Sequence, residues 1–250
     1  MKNIGGSYNC VSRLYEAHST VCVQQLTLKS GVNVLFGDID SGGWGISRAM
    51  SMPENFKYRG RKYRAFPCPY PVAAQSEIYV DGRESCFEEL GKTSCYLDCA
   101  HKLYRPGFAV KASVEKGLKI SGLAYNAQDI MGMFEIAPFR FERPLKAVGN
   151  ECWRAMAAIG FANGKQIFCF PWLSAKMVEY FYYQLTAPMN KLAELGATVV
   201  LPTTYNFREH SDYNIVDMFE AQGGYPVGDC FDRPSRCPLA QVYTMSSHSM

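Results

Sequence analysis

Alternating and continuous apolar segments in the first third of the chain predict β-strands. STVCVQQLTLKSG alternates and then turns at Gly31, and VNVLF behind it is a short β-rich run that ends at Gly37. A helix is predicted to follow the glycines through Met50 and to stop near Pro53. Residues 54–71 are basic, aromatic and contain proline, which predicts an irregular insert. SEIYVDG predicts a strand that ends in an Asp-Gly turn.

Apolar side chains at helical spacing characterise the middle and the later part of the chain. Residues 113–162 predict helices, with Ser113 as the first N-cap. Residues 174–195 also have helical spacing, but Pro188 should kink or split that helix because it lacks a backbone N–H. Gly196 then predicts the end of the helix.

Two continuous apolar runs, QIFCF and ATVVLP, flank the second helical segment and predict buried strands, the first of them central in a sheet. The order strand, helix, strand with continuous apolar strands predicts a parallel sheet and therefore an α/β fold. The tail after Asn206 is rich in Gly, Pro and Ser and predicts loops. A length of 250 residues allows one large domain with a sizeable core.

Composition and charge exclude several classes of protein. Apolar residues make up 48% of the chain and charged residues 20%, as in globular proteins. The formal net charge of +3 is too mild to indicate a nucleic-acid partner. MKNIGGSYNC lacks the apolar core of a secretory signal, so a cytoplasmic location is expected, with a peripheral place on the inner face of a membrane left open. The ten cysteines include no C-x-x-C pair, which predicts reduced, mostly buried thiols.

The glycines before the first predicted helix have the spacing of a phosphate-binding loop, G-x-x-x-x-G-K-[ST]. Gly37 and Gly42 fit this spacing, but Gly43 stands in place of the lysine and Trp44 in place of the Ser or Thr. Glycine turns between a strand and a helix commonly bind nothing, so this turn alone is weak support for a phosphate site.

Five segments in order resemble the ATP-binding cassette of ABC transporters over most of the chain. They are LTLKSGVNVLFGDIDSGGWGISRAM, YVDGRESCFEELGKTSCYLDC, SVEKGL, LKAVGNECWRAMAAIGFANGKQIFCFPWLS and LAELGATVVLPTTY. The resemblance implies one domain over residues 1–250 with a P-loop NTPase-like, mostly parallel sheet. It also implies an N-terminal antiparallel β part and an inserted helical subdomain at about residues 100–162. ERPLKAVGNECWRAMAAIGFA is similar to members that export polysaccharides or teichoic acids.

The resemblance places the family's site residues on named positions of this chain. The positions for nucleotide binding are Tyr15, Gly37, Asp38, Ser41, Gly42, Gly43 and Trp44. The signature-like positions are Val148, Gly149, Asn150 and Glu151. The Walker B pair and the switch histidine fall on Pro171, Trp172 and Thr204, the glutamine near Cys99 and the D-loop aspartate on Val178.

These replacements remove the chemistry of ATP hydrolysis. Proline cannot bind a metal ion and tryptophan cannot act as a base, so Pro171 and Trp172 leave no metal ligand and no catalytic residue. Phosphoryl transfer depends on positioning and charge neutralisation, which Gly43 and Trp44 cannot supply through their side chains. ATP or another phosphate ligand could still bind without Mg²⁺ to the N–H groups of residues 37–42, or the indole of Trp44 could fill the pocket.

The resulting hypothesis is a pseudo-ATPase that acts as a structural or regulatory partner of a permease or of an intact cassette, in a homodimer or a heterodimer. The alternative is a weakly nucleotide-binding half of an asymmetric transport ATPase that exports a polysaccharide-type substrate. An accidental resemblance would leave another α/β protein.

Other chemistry also has candidate residues. Cys169 or Cys99 could pair with His101 or His210 as a thiol nucleophile. For Cys169, however, a buried inert thiol is the favoured interpretation. His101 could equally be a solvated loop histidine. Asp38, Asp40 and Asp81 could hold a cation or make turn hydrogen bonds. Phe181 and Leu185 are expected in the core, while Tyr180 and Tyr183 fit either the core or an interface.

Overall fold

A computed structural model describes residues 4–7, 26–39, 41, 43–51, 56–58, 61–63, 77–80, 83–85, 87–99 and 101–218. Five residues named in the sequence analysis lie outside this set: Tyr15, Asp40, Gly42, Pro53 and Asp81. Among the described residues, no helix has the length and apolar character needed to cross a membrane.

The centre of the structure is a five-stranded sheet in which every neighbouring pair is parallel. Its strands are β3 (Gly31–Phe36), β8 (Ser94–Tyr96), β9 (Ile167–Cys169), β10 (Thr198–Thr203) and β11 (Asn214–Asp217), in the order β11-β3-β10-β9-β8. All residues of β8, β9 and β10 are buried, because helices cover both faces of such a sheet. The predicted parallel sheet and its three strands VNVLF, QIFCF and ATVVLP are confirmed.

A second, antiparallel sheet contains the N-terminal strand. It joins β1 (Ile4–Ser7), β2 (Leu26–Leu28), β6 (Glu77–Val80) and β7 (Arg83–Ser85) in the order β2-β1-β6-β7. The predicted antiparallel β part is therefore present, and β6 is the strand expected from SEIYVDG. Residues 54–71 are not wholly irregular as expected, since β4 (Phe56–Tyr58) and β5 (Arg61–Tyr63) pair within them.

The helix after the glycines, α1 (Gly43–Ser51), begins and ends as predicted. Its buried residues pack against the sheet, and the Ser47 hydroxyl donates to the Phe170 carbonyl oxygen at 2.6 Å. A short helix, α2 (Phe87–Thr93), follows β7 and leads into β8. Both helices therefore lie beside strands that carry predicted site residues at their carboxyl ends.

Helices fill the segment between β8 and β9. They are α3 (Val110–Ser121), α4 (Ala127–Met133), α5 (Pro138–Phe141) and α6 (Cys152–Ala162), with 3-10 turns at Leu145–Ala147 and Gly149–Glu151. The N-cap predicted at Ser113 is wrong: the N-cap is Ala109, which bridges to Pro144, and Ser113 lies inside α3. The tertiary hydrogen bond from the Val110 N–H to the Arg143 carbonyl fixes this earlier start.

The helical segment after β9 divides into α7 (Ala175–Tyr180) and α8 (Tyr182–Glu194). The break falls at Phe181 and not at Pro188, which lies buried inside α8. Phe181 packs its ring against the edge of Trp153, with centroids 5.7 Å apart, so a tertiary contact accompanies the break. Gly196 follows the end of α8 with a positive φ of 81°, as its predicted role requires.

The core joins the sheet to the helices on either side of it. Its largest fully buried side chains include Phe141, Phe168, Phe170, Phe207 and Leu35. The tail after Asn206 was expected to form loops, but it contributes β11, whose residues are all partly exposed at the edge of the sheet. Partial exposure and a polar start explain why this strand lacks a continuous apolar signal.

Candidate functional site

The carboxyl ends of β3, β8, β9 and β10 lie at one edge of the sheet, where parallel α/β proteins form their ligand sites. The glycine turn follows β3. The Gly37 N–H donates to the Thr203 carbonyl oxygen at 2.9 Å, so the turn is attached to the end of β10. Both the N–H and the hydroxyl of Ser41 donate to the Asp38 carbonyl oxygen, at 2.9 and 2.6 Å.

The turn is folded closely on itself. A Cβ atom placed on Gly37 would lie 2.5 Å from the Ser41 hydroxyl oxygen and 2.7 Å from its Cβ, so only glycine fits. Asp38 contributes its carbonyl oxygen to this turn, in the manner of a turn residue. No described group of three or more His, Cys, Asp or Glu residues could hold a metal ion.

Gly43 begins α1 at a tight contact between the helix and the sheet. A Cβ atom at this position would lie 3.2 Å from the Cβ atoms of both Leu35 and Pro202. Gly43, at the position predicted for the phosphate-loop lysine, is therefore packed against β3 and β10, and any side chain there has to displace the core slightly.

Trp44, one residue further on, contacts the end of β8. Its indole nitrogen donates to the Tyr96 hydroxyl oxygen at 2.8 Å, and the Arg48 guanidinium lies 5.4 Å from its ring centre. Tyr96 is only 3% exposed, and burial raises the pKa of its hydroxyl well above its ordinary value. Tyr96 thus belongs to the site, although the sequence gives no signal for it beyond an aromatic residue at a strand end.

Trp172 is the indole that contacts the glycine turn. Its nitrogen donates to the Gly37 carbonyl oxygen at 3.2 Å, and both Pro171 and Trp172 are partly buried. The structure therefore brings Trp172, at the position predicted for the general base, into contact with the glycine turn. The bond is made by a neutral indole that can only donate, so it cannot activate water.

The two threonines at the end of β10 tie the remaining pieces together. The Thr203 hydroxyl donates to the Leu173 carbonyl oxygen at 2.6 Å. Thr204, at the switch position, accepts a hydrogen bond from the Ala175 N–H at 3.0 Å. Both hydroxyls thus hold the segment between Trp172 and α7 in place, and Val178 at the D-loop position is fully buried.

The signature-like residues contact their own helical segment. Val148 is 1% exposed and Gly149 has a positive φ of 71°. The Glu151 carboxylate pairs with Arg140 at 3.1 Å and accepts from the Ala137 N–H at 3.0 Å. Asn150 accepts a short hydrogen bond from the same Arg140. The polar groups of this segment are therefore engaged with α5 and with the residues next to it.

The residues at the positions that the resemblance assigns to metal binding cannot coordinate the Mg²⁺ of a bound nucleotide. Mg²⁺ requires oxygen ligands in an octahedral arrangement, and none of the side chains of Gly43, Trp44, Pro171 and Trp172 carries an oxygen. Thr204 has one, but it accepts from a backbone N–H.

The surroundings of Cys169 and His101 oppose a thiol nucleophile pair. Cys169 is fully buried, and burial raises the pKa of its thiol well above the ordinary value. Cys99 is exposed, and loss of solvation and the nearby Asp98 carboxylate raise the pKa of its thiol. The solvated interpretation of His101 is wrong: its side chain is buried, its Nε2 lies 3.1 Å from the Ser51 carbonyl oxygen, and burial lowers its pKa to about 4. High thiol pKa values and a neutral imidazole disfavour a thiolate–imidazolium pair.

Tyr180 and Tyr183 lie outside the core, with 79% and 62% of their surface exposed. The Tyr183 ring covers the Arg154 guanidinium at 4.8 Å, and Arg154 pairs with Glu135. Phe181 and Leu185 are partly and fully buried, as the helical spacing indicates.

No protein-family model matches the sequence, and no curated protein is significantly similar to it. Solved structures do share its fold. A protein assigned as an ABC transporter ATP-binding protein from Pyrococcus furiosus superposes with a TM-score of 0.55 and 13% identity, over 87% of this chain and 98% of that one. The ATP-bound structure of a bacterial Atm1-family ABC exporter gives 0.51 and 12%, over 94% of this chain and 42% of that one.

A third solved structure, the ADP- and phosphate-bound dimer of the ATP-binding cassette MJ0796, gives a TM-score of 0.50 and 14% identity, over 82% of this chain and 88% of that one. At these identities the likeness shows the fold alone. The chain has the α/β fold of an ABC-type ATP-binding cassette.

Proposed function

We propose that the chain is a catalytically degenerate ABC-type cassette, a pseudo-ATPase that serves as a structural or regulatory partner of a permease or of an intact cassette. The observation that supports this most directly is the hydrogen bond from the Trp172 indole to the Gly37 carbonyl oxygen. At the position where an active cassette has its general base, an apolar ring is attached to the phosphate loop.

Several groups that phosphoryl transfer requires are absent from the predicted site residues. Loss of a general base alone costs typically a factor of about 10² to 10⁴ in rate. Gly43 offers no ammonium group, and neither Trp44 nor Pro171 offers an oxygen to a metal ion. Since phosphoryl transfer is achieved by charge neutralisation and positioning, we expect no measurable turnover of Mg-ATP.

The partner role follows from a fold that is kept while the chemistry is replaced. The similar solved structures include an exporter and a dimeric cassette, in which such domains work as parts of larger assemblies. A chain that keeps the fold but lacks these catalytic groups could complete such an assembly, as a homodimer or with an intact cassette or permease. A peripheral position on the inner face of the membrane is the location this role requires.

A competing possibility is that this chain is the weakly nucleotide-binding half of an asymmetric transport ATPase. The N-terminal end of α1 could attract a phosphate group, but Gly43 and Trp44 offer it no positive charge. Thermal unfolding with ATP, ADP or inorganic phosphate separates the two hypotheses. A ligand that binds the folded chain must raise its melting temperature. If the melting temperature does not change at millimolar ligand, the result supports the pseudo-ATPase proposal over a nucleotide-binding half.

The decisive experiment measures phosphate release from Mg-ATP by the purified chain, alone and mixed with an intact cassette encoded beside it. We expect no release by the chain alone and a changed rate for the mixture compared with the intact cassette alone. The pseudo-ATPase proposal fails if the purified chain hydrolyses Mg-ATP and the substitution Gly37→Val abolishes that hydrolysis.

A further inference from the structure

The turn that ends α4 places a glutamate where such turns usually place a glycine. Phe134 is the C-cap, and Glu135 follows it with a positive φ of 51°. The Glu135 N–H donates to the Gly132 carbonyl oxygen, and the Ile136 N–H donates to the Met131 carbonyl oxygen, both at 3.1 Å. These two bonds define a Schellman turn, in which the position of Glu135 is typically glycine because other residues are strained there. A glutamate at this position therefore indicates that its side chain contributes something that glycine cannot.

The backbone and the side chain of Glu135 both contact Arg154 of α6. The Arg154 Nη1 donates to the Glu135 carbonyl oxygen at 2.9 Å and lies 3.3 Å from its carboxylate. Only 8% of the Arg154 side chain is exposed, and among the described residues its Nε has no hydrogen-bond partner. A buried charge is destabilising unless it is paired, so the contacts with Glu135 compensate for the burial of Arg154.

Tyr183 of α8 contacts both members of this pair. Its hydroxyl donates to the Glu135 carboxylate at 3.1 Å, and the Arg154 guanidinium carbon lies 4.8 Å from its ring centre. Glu135 and Arg154 belong to the helical segment before β9, whereas α8 follows β9 and packs against β3 and β10. The three side chains therefore connect that helical segment to a helix that lies on the parallel sheet.

The residues just after Glu135 also contact the signature-like segment, residues 148–151. The Glu151 carboxylate accepts from the Ala137 N–H and pairs with Arg140. The start of α6 thus contacts the same turn twice, at Glu151 and about one helical turn later at Arg154. Because of these contacts, a movement of the turn relative to α8 would displace the signature-like segment as well.

We propose that Glu135, Arg154 and Tyr183 form a clamp that fixes the signature-like segment relative to α8. Glu135 is a positioning residue, because it acts on residues 148–151 through Arg154 and through the turn to which it belongs. The strained backbone at Glu135 is retained because the carboxylate that glycine would lack is needed by the clamp. All contacts of the clamp lie within this chain, so its test is independent of the pseudo-ATPase proposal.

Hydrogen–deuterium exchange of the purified chain, measured by mass spectrometry on peptides from residues 134–154 and from β10, tests the clamp. Glu135→Gly separates two effects: relief of backbone strain alone should slow exchange in residues 134–154, whereas loss of the clamp should accelerate it. We expect exchange there to become at least about fivefold faster, because a charge-assisted contact with the buried Arg154 is lost, and exchange in β10 to stay unchanged. Glu135→Gln keeps the strained backbone and removes only the charge, so it should also accelerate exchange, at least about twofold.

Glu194→Gln is the matched control, because it removes an exposed ion pair with Lys191 in α8 and should leave residues 134–154 unchanged. Tyr183→Phe keeps the ring over Arg154 but removes the hydroxyl. It should accelerate exchange at least about twofold in the wild type and add nothing to Glu135→Gly, where the hydroxyl has lost its acceptor.

Three results would overturn the clamp, each in variants that circular dichroism shows to be folded. The first is slower or unchanged exchange of residues 134–154 in Glu135→Gly or in Glu135→Gln. The second is an acceleration that extends equally to β10, which would make the effect one of global stability. The third is an equal effect of Tyr183→Phe in the wild type and in Glu135→Gly.

Discussion

The Trp172 indole nitrogen donates a hydrogen bond to the Gly37 carbonyl oxygen across 3.2 Å, and so joins the end of β9 to the turn before α1. The same turn is joined to β10 through the Gly37 N–H and the Thr203 carbonyl. The segment after β9 and the end of β10 thus both hold Gly37 through its backbone. The Gly37 N–H is bonded to Thr203, so this N–H is not free to bind a phosphate group.

Restoring the carboxylate of a general base should not restore catalysis. Trp172→Glu places a partly buried acceptor opposite the Gly37 carbonyl oxygen, so we expect it to lose about 1–3 kcal/mol of unfolding free energy and to release no phosphate from Mg-ATP. Trp172→Gln is the matched control, because its amide can still donate to Gly37. Urea denaturation should find it about 1 kcal/mol more stable than the glutamate variant. Hydrolysis of Mg-ATP by Trp172→Glu would show that loss of the base alone accounts for the expected inactivity, against the role given to Gly43, Trp44 and Pro171.

Gly43 should not tolerate the Cβ that a lysine at this position of a phosphate-binding loop would carry. The contacts at 3.2 Å to Leu35 and Pro202 imply a crowding cost of about 1–3 kcal/mol, larger than the gain of up to about 1 kcal/mol from replacing glycine by alanine in a helix. Gly43→Ala should therefore lower the unfolding free energy by about 1 kcal/mol.

Gly132→Ala provides the control for this experiment. Gly132 lies in α4 with no atom within 4 Å of an added Cβ, so the same substitution should stabilise by about 0.5–1 kcal/mol. Chemical denaturation of both variants should show opposite signs. Equal effects would mean that the close packing of α1 against β3 and β10 has no energetic consequence.

The Trp44–Tyr96 hydrogen bond should be measurable as a coupling between helix α1 and strand β8. In a double-mutant cycle of Trp44→Phe and Tyr96→Phe, we expect a coupling energy of about 0.5–1.5 kcal/mol in the free energy of unfolding. Each single variant leaves one polar group without its partner, so the double variant should cost less than the sum. Strict additivity would show that the bond does not contribute to stability.

Much of the architecture follows from apolar patterns. β9 and β10 are predicted because buried parallel strands are continuously apolar, and β3 because its short β-rich run ends at a glycine. β11 escapes such a prediction because edge exposure leaves it no continuous apolar run. The kink or split predicted at Pro188 is wrong, because α8 continues through this residue. Leu185, Met189 and Leu192 are buried on either side of it. Tertiary packing decides both cases, and a local pattern does not contain it.

The candidate site divides in the same way. The spacing of the glycines and of the residues after QIFCF predicts which motif positions are occupied by Gly43, Pro171 and Trp172. It does not tell which indole contacts the turn, because both Trp44 and Trp172 are large donors near it. The direction of each ring depends on partners distant in sequence, the Tyr96 hydroxyl for one and the Gly37 carbonyl for the other.

His101 should make the stability of the chain depend on acid. The neutral imidazole is buried between two backbone groups: its Nε2 lies 3.1 Å from the Ser51 carbonyl oxygen, and its Nδ1 accepts from the Leu103 N–H at 3.3 Å. Protonation would remove that acceptor and charge a buried ring. For this reason the pKa falls from 6.5 to about 4 on folding, with loss of solvation as the largest cause.

The sign follows from which state binds the proton first. Below pH 6.5 the unfolded chain becomes protonated while the folded chain does not, so the contribution of His101 is complete above pH 6.5 and is lost as the pH falls toward 4. Between pH 7.5 and 4.5, urea denaturation should show wild type losing about 2–3 kcal/mol more than His101→Gln. His210→Gln, which leaves His101 in place, should keep the wild-type loss. An unchanged pH dependence in His101→Gln would mean that the buried imidazole does not control acid stability.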